Sequence, residues 1–442
     1  MDDPALPVTP PYVEQQRAAA ERLAQAIDAA APMGSDLPGA PEPLATAIAA
    51  GVEQRADELI ALSHDLHAHP ELCYEEHRSA RRVAMLLSEH GHDCEVGAYG
   101  LETAVRARAG GSGPRVAILA EYDALPGIGH ACGHNVICST AVGAFLALAE
   151  VIADLGGSVE LIGCPAEEGG GGKELIARAG GFDGIDAALM LHPFGADAAI
   201  HPWLGVRTVD VAYRGLSAHA AVAPHLGRNA LDAVVNAYTG IAQLRQHMLP
   251  DDRVHGVITD GGRKPNMVPE RAAASFFLRS ASLEGLAELT RRAGDIFRAA
   301  ALSTATEVDV DWDISPVYLP VRNNTALAGR YAQNLRRRGR KVLPAGVLPA
   351  EMTGSTDLGN VSVRIPAIHP LLEIAPVEVS LHTPEFARWA ISDRADAGVV
   401  DGAIGLALTG ADFLLYKEVR TAVRDEFERD GGSLQPNIPP EC

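Results

Sequence analysis

Cysteine is scarce. The 442 residues hold six, Cys73, Cys94, Cys132, Cys138, Cys164 and Cys442, scattered along the chain. That number and spacing exclude the disulfide framework of a small secreted domain, and a reducing cytoplasm is the expected compartment. No charged segment followed by a short apolar stretch opens the sequence, so no secretory leader is expected. No uninterrupted run of about 18 apolar residues occurs, so no membrane span is expected. Positive charge is in deficit: 37 Lys and Arg face 57 Asp and Glu, a formal net charge of −20. This balance disfavours nucleic acid or an anionic membrane as a general partner. It does not constrain a small substrate, because one arginine in a pocket outweighs the distant field.

What is present is an ordinary globular composition, 47% apolar and 21% charged, in a chain long enough for more than one domain. Residues 1–50 read as a helix (12–30) and a Pro/Gly/Ala-rich linker (32–43), either a docked arm or a partly mobile tail. Helical periodicity covers 44–69, stopped by Pro70, and 75–90, stopped by Gly91. Apolar strands at 103–109, 116–120, 159–164 and 184–191 then alternate with an Ala/Leu-rich helix at 135–155. Such alternation predicts an α/β fold with a mostly parallel sheet covered on both faces. The character changes at 205–317, where strands (206–214, 254–259, 272–279, 307–312) and helices (229–248, 282–300) follow the β-α-β-β-α-β order of a ferredoxin-like unit. A helix at 323–338 and a final one at 396–428 return to α/β character. The expected division is therefore an N-terminal helix and linker (1–50), a catalytic domain in two parts (51–204 and 318–442), and an inserted lid or dimerisation domain between them (205–317).

The strongest chemical signal is Gly129-His130-Ala131-Cys132-Gly133-His134-Asn135, soon after the strand ending at Ala120. A thiol and an imidazole stand two residues apart on a glycine-rich loop at the carboxyl end of a strand, where open α/β sheets bind ligands. Such donors suit Zn²⁺ or a similar divalent ion. Glu167-Glu168 follows another strand and precedes four glycines. Neighbouring side chains point to different sides, so Glu168 can ligate a metal while Glu167 faces a water as base. His192 ends a further strand and His382 sits on a late loop. Cys132, His134, Glu168, His192 and His382 make five candidate ligands. Five suit two ions about 3.5–4 Å apart with one shared ligand, here the Cys132 thiolate.

These residues carry a resemblance. Ordered along the chain, HPELCYEEH (69–77), EYDALPGIGHACGHN (121–135), PAEEGGGGK (165–173), LHPF (191–194), GLSAHAA (215–221), TGSTDLGNVS (353–362), IHP (368–370) and LHTPEF (381–386) resemble peptidase family M20, in the amidohydrolase subfamily whose loop reads Cys-Gly-His. The resemblance spans about residues 60–400. It implies an α/β dinuclear metallohydrolase domain with an inserted ferredoxin-like α+β lid, and two divalent ions, Zn or Mn, on the five ligands named. It implies Glu167 as general base and acid, and Asp123 as the acid that orients the site. His219 would reach from the lid into the partner subunit of a homodimer. Asn266 and Arg279 would hold the substrate's carboxylate, and Gly354, Ser355 and Thr356 would line the substrate. The implied reaction is hydrolysis of an amide bond in an N-acyl amino acid. A dipeptidase acting on β-alanyl or other dipeptides and a non-catalytic metal-binding homologue are the alternatives.

Overall fold

The computed structural model describes residues 10–434. Four helices come first: α1 (Pro10–Ala29), α2 (Glu42–Glu53), α3 (Ala56–Ala68) and α4 (His77–Glu89). Next come β1 (Cys94–Val96), β2 (Val105–Gly110), β3 (Arg115–Glu121), α5 (His134–Leu155), β4 (Ser158–Cys164), α6 (Gly172–Arg178), β5 (Ala187–Leu189) and β6 (His192–Phe194). The inserted unit holds β7 (Gly205–Arg214), α7 (Ala230–Leu244), β8 (Arg253–Asp260), β9 (Arg271–Ser280), α8 (Leu283–Thr304) and β10 (Glu307–Trp312). The chain closes with α9 (Thr325–Arg336), α10 (Leu358–Ser362), β11 (Ala367–Ile368), β12 (Leu371–Glu373), α11 (Pro384–Trp389), α12 (Asp393–Leu415) and α13 (Lys417–Arg429).

The main sheet has the order β1-β2-β4-β3-β5-β11. β4, β3, β5 and β11 are parallel, and β2 and β1 form an antiparallel edge. The mostly parallel α/β architecture read from the sequence is thus present. β3 and β4 are apolar and buried on both faces, as strands covered by helices on two sides must be. α5 is the central helix. It packs against α3 and α12, and a Cβ at Gly143 would lie 2.7 Å from Leu59 and 3.0 Å from Ala403, so only glycine admits that approach.

The inserted unit is a four-stranded antiparallel sheet of order β10-β7-β9-β8 with α7 and α8 on one face. This is the ferredoxin-like arrangement. It has its own core, with Val209, Tyr213, Phe276, Leu289 and Phe297 buried.

Several spans differ from the sequence reading. The helix expected over 44–69 is two helices, α2 and α3. They break at Arg55, whose guanidinium turns back to the Gly51 carbonyl at 2.6 Å and pairs with Glu150. The helix expected over 396–428 also breaks, at Tyr416, which is extended (φ −106°, ψ 118°). Arg420 takes up the carbonyls this frees, bonding Phe413 O at 2.9 Å and Leu414 O at 2.6 Å. The N-terminal segment is a docked arm: Met33 N–H donates to Val342 O at 2.8 Å, and Ala40 N–H to Asp412 Oδ1 at 2.6 Å. Although no unbroken apolar run exists, α5 and α12 are by length and composition apolar enough to span a bilayer. Both are mostly buried in the protein core.

Candidate metal centre and active site

The site forms where β3, β4 and β5 end. Gly133 adopts a left-handed conformation (φ 77°) that starts α5, and a Cβ there would meet Pro193 at 3.0 Å. This turn sets Cys132 in the loop and His134 as the first residue of the helix. Asp123 Oδ1 takes His134 Nδ1 at 2.9 Å, which aims Nε2 at the site. Asp123 Oδ2 accepts the Glu168 backbone N–H at 2.8 Å. Asp123 thus orients two candidate ligands at once. Burial alone would raise its carboxyl, but His134 and the Glu168 amide hold it below the usual value.

His192 Nδ1 lies 2.7 Å from the Pro193 carbonyl, so that nitrogen carries the proton and Nε2, 3.4 Å from Cys132 Sγ, is left with its lone pair. Burial and the nearby His134 lower its pKa to about 3, so His192 is neutral. His382 is held in a left-handed conformation (φ 59°) by its N–H bond to Ala131 O at 2.9 Å, and its Nε2 is 3.3 Å from Glu168 Oε1. Two donor trios result: Cys132, His134 and His192, and Cys132, Glu168 and His382. Within each, the donor atoms lie within 4.8 Å of one another. They share Cys132.

His134 Nε2 and Glu168 Oε1 are buried without a hydrogen-bond partner. An unpaired buried polar atom costs about 1–3 kcal/mol, and a cation satisfies both. Nitrogen, sulfur and carboxylate donors together suit a borderline divalent ion. The residues therefore fit a metal pair.

Glu167 follows Ala166, itself left-handed (φ 58°). Its carbonyl accepts the Tyr318 hydroxyl at 2.6 Å, and that same hydroxyl receives the Gly169 and Gly171 amides at 3.0 and 2.9 Å. This fixes the turn. Glu167 Oε2 is 3.8 Å from His134 Nε2. Burial, with Glu121 and Glu168 close by, pushes its carboxyl well above the usual range, which favours holding a proton. Burial and Glu168 likewise push the Cys132 thiol up in the metal-free chain.

A cavity of about 980 Å³ opens over these groups, between the catalytic domain and the insert. Cys132, Glu167, Glu168, His192 and His382 form its floor, and Arg279, Gly354 and Ser355 line it. Arg279 donates to Ser355 Oγ at 2.6 Å, so the lid strand and the Gly354–Ser355 loop meet at the cavity wall. Thr356 is buried behind that wall. His219 and Asn266 are outside this cavity. They lie together on the insert, where Ala220 N–H donates to Asn266 O at 3.0 Å, and both are accessible.

Sequence reasoning missed four contributors. Tyr318 braces Glu167, and Glu76, fully buried, accepts the Ala166 amide at 2.8 Å. Lys173 and Glu121 pair in the interior beside His134. Three of the four stand inside the quoted segments, but nothing local marks them as buried.

Fold and donor set together define a class, a metal-dependent hydrolase. The particular family follows from comparison. The model of Peptidase family M20/M25/M40 matches residues 117–420, and the chain belongs to that family. The chain is 38% identical over 396 residues to the Xaa-Arg dipeptidase of Mus musculus, covering 85% of this chain and 90% of that one. It is 30% identical over 435 residues to a p-aminobenzoyl-glutamate hydrolase subunit of Escherichia coli (strain K12), covering 82% and 90%. Among solved structures, a Bacillus subtilis dinuclear metal binding peptidase from the M20 family shares the fold with a TM-score of 0.61 at 22% identity, over 80% of this chain and 99% of that one.

Proposed function

We propose that this protein hydrolyses the amide bond of a dipeptide or N-acyl amino acid with a free carboxylate, using two divalent ions, Zn or Mn, and Glu167. The carrying observation is the pair of donor trios sharing Cys132, with Glu167 facing them. When bound, the ions supply Lewis-acid polarisation of the scissile carbonyl and a water of lowered pKa. The chain's own residues do the rest. Cys132, His134, Glu168, His192 and His382 hold the ions, and Asp123 keeps His134 and Glu168 in place. Glu167 takes the water's proton and returns it to the leaving amine, a role suited to a carboxyl whose proton affinity burial raises above the usual carboxylate range. Arg279, steadied by Ser355, receives the substrate carboxylate. Identity of 38% to an Xaa-Arg dipeptidase, against 30% to a p-aminobenzoyl-glutamate hydrolase subunit, supports a dipeptide ending in arginine as the substrate.

His219 and Asn266 act in this reading across a homodimer. Three features support it: the two residues sit side by side, they lie outside their own chain's cavity, and Asn266 is on the loop that leaves the edge strand β8. That edge leaves Val257 and Ile258 exposed, 61% and 43%, where a second copy would cover them. A reducing cytoplasm would keep the site thiol free, in keeping with five free cysteines among the described residues.

The test is a screen of Mn²⁺- and Zn²⁺-loaded protein against Xaa-Arg and Xaa-Lys dipeptides, N-acetyl amino acids and p-aminobenzoyl-glutamate. Free amino acid should be released and chelation should stop it. Folded, metal-loaded protein that releases none from any of them refutes the reading.

A further inference from the structure

Lys173 is a fully buried lysine at the back of the active site. Its Nζ pairs with Glu121 and lies 2.5 Å from Asp357 Oδ1, while its backbone N–H donates to Asp357 Oδ2 at 2.9 Å. Glu121, Asp357 and Glu167 bring carboxylate oxygens within 4.8 Å of one another, a further donor group next to the two trios. Glu121 Oε2 has no hydrogen-bond partner and is 3.6 Å from His134 Nε2. A buried ion pair is weak evidence for stability, because apolar replacements often serve as well. Its place against the base and a ligand therefore calls for another explanation. These groups come from four separate parts of the chain: Glu121 ends β3, Glu167 follows β4, Lys173 starts α6, and Asp357 ends the loop whose Ser355 meets Arg279. One ammonium, with three donors on a tethered stem, draws them together.

We propose that Lys173 is a positioning residue: its ammonium acts as a fixed third cation that holds Glu121 and Asp357 beside Glu167 and keeps a third metal ion out. A tethered charge cannot exchange with solvent ions, so the carboxylates around Glu167 keep one arrangement whatever metal is supplied. The positioning half of the proposal rests on Glu167 being the base; the ion count does not.

Two variants test it. Lys173→Met leaves the carboxylate group open, and the variant should bind one more Mn²⁺ per chain than wild type, counted by electron paramagnetic resonance on metal-depleted protein. Lys173→Met/Glu121→Gln removes one charge of each sign, so the cluster keeps its net charge, and Asp357 keeps its bond from the backbone N–H of residue 173; the variant should therefore fold, which its melting transition checks. It should still lose turnover by roughly 30-fold or more, with KM within about threefold, because positioning acts on the chemical step. Wild-type turnover in the double variant, or no extra ion in folded Lys173→Met protein, overturns the proposal. If Lys173→Met does not fold, the double variant's turnover decides. An inactive wild type would instead count against the hydrolase reading, and the ion count would still stand as the test of Lys173.

Discussion

Glu76 offers a stability prediction that depends only on the chain's own charges. Its carboxyl is fully buried under the site loop, accepting Thr103 Oγ1–H at 2.7 Å, the Ala166 amide at 2.8 Å and the Tyr74 amide at 3.0 Å. Burial, helped by the Asp123 charge, raises its pKa from 4.5 to about 7 despite those bonds. The folded state therefore holds the proton more tightly than the unfolded state, so stability falls as pH rises from 4.5 to about 7 and is level above that. At about 1.36 kcal/mol per tenfold, that rise corresponds to a cost of roughly 3 kcal/mol at pH 8. Glu76→Gln cannot ionise. Its amide oxygen keeps the Ala166 and Tyr74 bonds, and its NH₂ can donate to Thr103 once that hydroxyl rotates. In metal-free protein the variant should be more stable than wild type by about 1–3 kcal/mol at pH 8 and equal within about 0.5 kcal/mol near pH 4.5. Urea melts of both proteins across this pH range measure the difference. A variant less stable than wild type at pH 8, or a difference that does not change with pH, refutes the reasoning.

Glu167→Gln should keep the wild-type metal content and lose turnover by about 10²–10⁴-fold, the usual worth of a general base; metal analysis beside steady-state kinetics checks both. His219→Ala and Glu167→Gln subunits, each inactive alone, should recover about a quarter of wild-type activity when unfolded together and refolded, since half of a random mixture is heterodimer with one intact site. No recovery in a verified mixture would sink the shared site. Gly133→Ala should lower stability by about 1–3 kcal/mol, because alanine is strained at a φ of 77° and its Cβ would press on Pro193. It should also weaken metal retention, read by dialysis against chelator, because that turn places both Cys132 and His134.

The parts of the site that were legible in sequence are those whose chemistry and strand-end position coincide. Cys132, His134, Glu168 and His192 each follow an apolar run, and the fold carries every such run to the same edge. Lys173 was not legible as a buried charge. A lysine after four glycines reads as solvent-facing, and its partner Asp357 is 184 residues away. Tyr318 escaped because its role is to bond a carbonyl and two amides, which leaves no mark on side-chain spacing. The breaks at Arg55 and Tyr416 were hidden for a related reason. Helical periodicity runs through both points, and what ends each helix is an arginine bonding backbone carbonyls in the folded chain. His219 and Asn266 could be placed only by resemblance. The single chain sets them beside each other on the exposed surface of the insert, outside its own cavity.

The arrangement also explains why so rigid a core surrounds so unfavourable a charge cluster. Glu76, Glu121, Glu167 and Asp357 are all buried, and burial raises every one of them. In the metal-free chain Lys173 and the His134 imidazole supply the nearby positive charge, and neither reaches every carboxylate. Folding must offset this from elsewhere, and α5 and α12 provide the means, since both are mostly buried and pack directly on one another. His134 is the first residue of α5, so the loop that carries Cys132 is anchored to a long, largely buried helix instead of hanging free. Metal binding to such a site relieves repulsion that folding has already imposed. Part of the binding free energy therefore appears as added stability of the catalytic domain. The insert has a separate core and gives no ligand to either trio, so its own packing gains nothing directly from the ions.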